Sequence, residues 1–151
     1  MGTWDTGILC NDSALDLMYD IEKLNVETEL VPFIDNYIKN IKDSSYISYN
    51  DIFLIIELID MSLNGVDFEI LVNDVNTFTK DLYGYGELFN SISKHPMPQF
   101  LDWAINTFTE NRKYEEENLV WRQDSVENRK HILDKIWDRL KSYADMHKEV
   151  V

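Results

Sequence analysis

Apolar residues recur at three- and four-residue intervals along most of this chain, a period that predicts helices rather than strands. Ala14, Leu17, Met18, Ile21 and Leu24 form one such face, behind a cap at Asn11 or Asp12. A second helix is expected from about Thr28, with Pro32 in its first turn and Leu30, Phe33, Ile34, Tyr37, Ile38 and Ile41 inward. Asn50 or Asp51 caps a third, which runs to a stop at Gly65. Its residues Ile52 to Ile56, Leu58, Ile59, Met61 and Leu63 are apolar nearly all round, which marks a central helix. A buried strand is the rival for Ile52 to Ile56; length and capping favour the helix.

Further on, Asp67 is placed to cap a fourth helix carrying Phe68, Leu71, Val72, Val75, Phe78 and Leu82, ended by Gly84. A short helix fits Glu87 to Ser93, and His95-Pro96-Met97-Pro98 is a break. Pro98 suits the first turn of a helix with Phe100, Leu101, Trp103, Ala104, Ile105 and Phe108 on its face. Glu115 to Gln123 reads as a separate short helix. Ser125 caps the last one, with Ile132, Leu133, Ile136, Trp137, Leu140 and Tyr143 inward. The expected fold is all-α. It is a compact single domain over residues 1–151, a bundle of about six to seven helices with the N-terminal loop packed on it.

Composition adds bounds. A chain of 151 residues can bury one adequate core without a disulfide, and the single cysteine, Cys10, has no internal partner. The opening lacks a basic region followed by an apolar run, and no stretch has the ~18 consecutive apolar residues of a membrane span. The expected location is the cytoplasm.

Charge changes the picture more. The net charge is −14, which disfavours nucleic acid and anionic membranes as partners and favours a basic protein. Residues 1–111 hold five Lys/Arg against nineteen Asp/Glu, whereas residues 112–151 hold nine of each. Residues 43–79 contain Asp43, Asp51, Glu57, Asp60, Asp67, Glu69 and Asp74 and no Lys, Arg or His. One-sided charge suits steering of a partner, although solubility alone also accounts for it.

No catalytic, cofactor or metal site is expected. Glu127 and His131 share a helix face, but zinc needs three or four donors. Cys10 sits beside Asn11 and Asp12 and reads as a packing thiol. Tyr83-Gly84-Tyr85-Gly86 has a turn's glycines without the lysine of a phosphate loop, and Asp16 with Asp20 is an ordinary exposed acid pair. The expected binding surface instead comprises Tyr46, Tyr49, Asp51, Glu57, Asp60, Asp67, Glu69 and Asp74, with the tyrosines as anchors or, alternatively, as plugs of the bundle.

The opening Met1-Gly2-Thr3-Trp4-Asp5-Thr6-Gly7, the following Asn11-Asp12-Ser13-Ala14-Leu15-Asp16, and the block Glu117-Asn118-Leu119-Val120-Trp121 resemble a mainly bacterial family, the domain-of-unknown-function family 4259. Asp5 departs from that pattern, where glycine is usual, as do Leu9 and Cys10, where an aromatic is usual. The resemblance implies no enzyme activity and no catalytic residues. The function expected is non-catalytic: an immunity or antitoxin protein that neutralises a basic toxin, possibly a nuclease, through an acidic surface. The alternative is a protein-binding or regulatory module with another partner.

Overall fold

The computed structural model describes residues 7–9, 12–41, 49–71, 85–118 and 123–147. Its elements are α1 (Asp12–Glu22), α2 (Val26–Ile41), α3 (Tyr49–Asn64), α4 (Phe68–Leu71), α5 (Gly86–Ser93), a 3-10 turn (Pro98–Phe100), α6 (Leu101–Asn118) and α7 (Gln123–His147). The fold is all-α, as the periodicity predicts.

Helix α3 is the axis. Every side chain from Ile52 to Ser62 is buried. The helix packs against α1, α5, the 3-10 turn, α6 and α7, so a helix apolar nearly all round finds cover on every side. Each large apolar side chain placed there contributes about 1.5–3 kcal/mol of transfer free energy. The flanking helices bury single faces: Ala14, Met18 and Ile21 from α1, Leu30 and Ile34 from α2, Ala104 and Phe108 from α6, and Ile132, Leu133, Ile136 and Leu140 from α7. Phe53 meets the edge of Phe108 at 5.6 Å, and Phe108 stacks on Trp137 at 5.7 Å. These rings join α3, α6 and α7.

The ends of the helices follow local chemistry. Asn25 caps α2, its Oδ1 accepting from the N–H of Glu27 and Thr28 at 3.0 and 3.3 Å. Glu29 Oε1 completes the box by accepting from the N–H of Asn25 at 2.8 Å. This box starts α2 at Val26, ahead of the expected Thr28, so Pro32 lies inside the helix rather than in its first turn. Thr28 and Pro32 are both exposed, and water can take the carbonyl that the proline ring leaves without a donor.

Gly65 stops α3 with φ of 101°, and its N–H donates to the carbonyl of Met61 at 3.0 Å. An added Cβ there meets nothing within 4 Å, so the glycine is required by its backbone angle and not by crowding. Asp67 then caps α4, accepting from the N–H of Glu69 at 3.0 Å. Of the expected fourth helix only Phe68–Leu71 is described; Val72, Val75, Phe78 and Leu82 lie outside the described residues. Helix α4 also holds the N-terminal segment. Ile8 and Leu9 are buried and donate to the carbonyls of Ile70 and Leu71 at 3.2 and 2.7 Å.

The separate helix expected over Glu115 to Gln123 is corrected at its start, and residues 119–122 lie outside the described residues. Residues Glu115 to Asn118 continue α6, because nothing between Phe108 and Glu115 breaks a helix. Arg112 and Glu116 form an i,i+4 pair across that stretch.

Candidate functional site

The acids expected to form one surface are divided by the fold. Glu57 and Asp60 lie on α3 and are 1% and 0% exposed, so the reading of both as surface residues is wrong. They project towards α7, where Arg139 meets them. Arg139 Nε donates to Asp60 Oδ2 at 2.8 Å, and a second guanidinium nitrogen donates to the same oxygen. That nitrogen also reaches the two Glu57 oxygens at 3.3 and 3.4 Å. Asn64 Nδ2 donates to the other Asp60 oxygen at 3.0 Å. Asp67 approaches Arg139 at 3.6 Å from the corner behind Gly65. Three carboxyl groups thus converge on one guanidinium whose side chain is 24% exposed.

This arrangement sets the protonation of Glu57. Burial lifts its carboxyl well above the ordinary range, and Asp60 lifts it further through charge and a hydrogen bond. Arg139 pulls it back, and Asp67 adds another upward push. Burial alone lowers Arg139, but Asp60, Glu57 and Asp67 together hold it above its usual value. Two carboxyls thus share one guanidinium in a dry site, which favours the neutral form of Glu57.

One of the remaining expected residues also turns inward. Asp51 is half-buried at the start of α3 and accepts a hydrogen bond from Ser13 of α1. Burial raises its carboxyl, the Ser13 hydroxyl lowers it, and Asp16 raises it. Tyr37 of α2 stands near the same junction. Its hydroxyl is buried without a partner, and burial followed by the charge of Asp51 makes it harder to ionise. Asp67 is 33% exposed through its pairing. Glu69 is 70% exposed and reaches Lys135 of α7 at 3.5 Å. Tyr46 and Asp74 lie outside the described residues, as does the side chain of Tyr49.

Helix α7 therefore supplies bases to an acidic segment that has none of its own. The same helix contributes Arg129 to a second buried pair, with Nε donating to Glu115 of α6 at 3.1 Å and the guanidinium 5.2 Å from the Phe53 ring centre. Neither arginine was singled out by sequence spacing. One signal was available: Glu57 and Asp60 interrupt a helix that is otherwise apolar all round, and an acid in that position must find a base elsewhere in the chain.

Exposed acids lie on α1, α2, α4, α5, α6 and α7, and one run of them spans α1 and α2. Asp16, Asp20 and Glu22 of α1 and Glu27 and Glu29 of α2 are exposed around the short connection between those helices. Tyr19, in their midst, is 57% exposed, with Lys23 Nζ 4.1 Å from its ring centre. The last turn of α1 carries no base, so Asp20 and Glu22 sit at the negative end of the helix dipole, an unfavourable placement.

Other sequence candidates stay apart. Glu127 and His131 are exposed on α7, and Cys10 lies outside the described residues. Among the described residues no group of three or more His, Cys, Asp or Glu is placed to hold a metal ion, and no helix is long and apolar enough to cross a membrane. Compared with family models, curated proteins and solved structures, the chain gives no match.

Proposed function

We propose that this chain is a non-catalytic binding protein that engages a basic protein through the acidic corner of α1 and α2, in the manner of an immunity or antitoxin protein covering a cytoplasmic toxin domain. The observation that carries the reading is the division of the acids. Those of α3 are occupied inside the fold, while Asp16, Asp20, Glu22, Glu27 and Glu29 face solvent around an exposed Tyr19. Exposed charge of one sign accelerates encounter with a partner of the opposite sign, and a tyrosine within it offers a contact that buries area and keeps a polar end. The placement of Asp20 and Glu22 at the wrong end of α1 costs stability, which is the usual signature of residues kept for binding.

The test is co-expression with the product of the adjacent gene, followed by stopped-flow association of any complex at increasing salt. The expected association rate falls steeply between low salt and 1 M, where the Debye length is about 3 Å. The triple variant Asp16→Lys, Asp20→Lys, Glu22→Lys should fold and associate at least tenfold more slowly, in line with loss of steering. A rate indifferent both to salt and to the triple reversal overturns the reading.

A further inference from the structure

We propose that Glu57, Asp60 and Arg139 form a proton-holding clamp that fastens the α3–α4 corner to α7, so that release of one proton loosens α4 and the N-terminal segment resting on it. The geometry supplies each link. Glu57 and Asp60 are one helical turn apart, both within the core, and both accept from the Arg139 guanidinium. Two buried carboxyls against one guanidinium leave one negative charge unmatched unless one of them keeps a proton. With the proton in place, the buried part of the cluster holds one ionised carboxylate against one guanidinium. Without it, two buried negative charges face a single positive one, and the added charge has no water to solvate it.

The charged groups acting on Glu57 come from three places: Asp60 on its own helix, Arg139 on α7 and Asp67 in the corner. Helices α1, α5 and α6, which also pack on α3, contribute none among the described residues. Asp67 is the member able to leave, being one-third exposed and 3.6 Å from Arg139. It follows Gly65 by two residues, a point where the chain turns sharply. The same residue caps α4 through Glu69 and accepts from Ile70 and Leu71 through its carbonyl. Departure of Asp67 therefore unseats α4, whose carbonyls hold Ile8 and Leu9. The second tie from this corner to α7, between Glu69 and Lys135 at 3.5 Å, is exposed and weak.

The sign follows from linkage. A carboxyl whose value is higher in the folded protein than in the unfolded chain stabilises the fold most below the ordinary glutamate range. That contribution is lost as pH rises through the window up to its folded value. The clamp is therefore closed at low pH and opens as pH rises through the raised value of Glu57.

Amide hydrogen exchange at Leu9, Ile70 and Leu71, measured from pH 5 to 9 and corrected for the intrinsic rate, tests the clamp in the whole chain. Opening should increase with pH by up to about tenfold per unit, the slope of a single linked proton. Glu57→Gln, which matches the neutral carboxyl in size and polarity and cannot lose a proton, should abolish the slope. In parallel, infrared difference spectra of the unaltered protein should show a protonated carboxyl band at pH values above the ordinary glutamate range that titrates with the exchange and is missing from Glu57→Gln. Equal slopes in the two proteins overturn the proposal. Should the variant not fold, the infrared band of the unaltered protein decides alone: a band titrating with exchange supports the clamp, and the absence of any such band overturns it.

Discussion

Residues 12–41 and 49–71 are both five charges short of balance, with seven acids against two bases in the first and five acids against none in the second. They use that charge in opposite ways. In the second segment, Glu57 and Asp60 are buried on Arg139, Asp67 and Glu69 reach α7, and Asp51 takes a hydroxyl from α1. In the first, one pair, Asp35 with Lys39, is an exposed i,i+4 contact, and five acids face solvent around the α1–α2 connection. Equal charge in a stretch of chain thus states nothing about where the charge points. The amphipathic pattern beneath it decides. Helices α1 and α2 each bury one face and leave the other for acids, whereas α3 has no outer face to offer.

Asp60→Lys breaks this contrast most severely. It places an amine in the core beside Arg139 and leaves Glu57 with two cations and no solvent. Loss of a buried charge partner alone costs about 3–5 kcal/mol, a large part of the about 5–15 kcal/mol that holds a typical domain together. The expected outcome is an unfolded or molten chain by near-ultraviolet circular dichroism. A well-folded Asp60→Lys protein would show that the α3 acids are peripheral after all.

That position illustrates what the sequence discloses. The helical faces of α1, α2, α6 and α7 are legible because period 3.6 reports burial directly: Met18, Ile34, Phe108 and Ile136 all fall where the spacing puts them. The stop at Gly65 and the cap at Asp67 are legible because their chemistry is local. The beginning of α2 is displaced because the Asn25–Glu29 box overrides the preference of Pro32 for a first turn. The Arg139 cluster is not legible from spacing, since its donor and acceptor are 79 residues apart and meet only once α7 folds back on α3. Reading α3 as buried all round and Glu57 and Asp60 as surface residues were incompatible expectations. The apolar pattern was the stronger of the two, because burying eight large side chains outweighs exposing two acids.

Asp20→Lys sharpens the contrast with a change of the same charge and the opposite sign of effect. It removes an acid from the negative end of α1 and adds a base to a last turn that has none. Stability should rise by about 0.3–1 kcal/mol in low salt and by less in high salt, as read by urea unfolding. A destabilisation comparable to that of Asp60→Lys would mean that the corner is structural rather than free for a partner.

The central claim, that the α3 acids are structural and held by α7, is tested most directly by a double-mutant cycle between Asp60 and Arg139. Asp60→Asn, Arg139→Met and the double variant are compared with the unaltered protein by urea unfolding at neutral pH. Each single change strands a buried charge or weakens its partner, so the double variant should lose less than the sum of the two. The expected coupling is at the upper end of the about 0.5–3 kcal/mol found for residues in one network. Losses that add to within about 0.5 kcal/mol, as they do for independent sites, would contradict the claim.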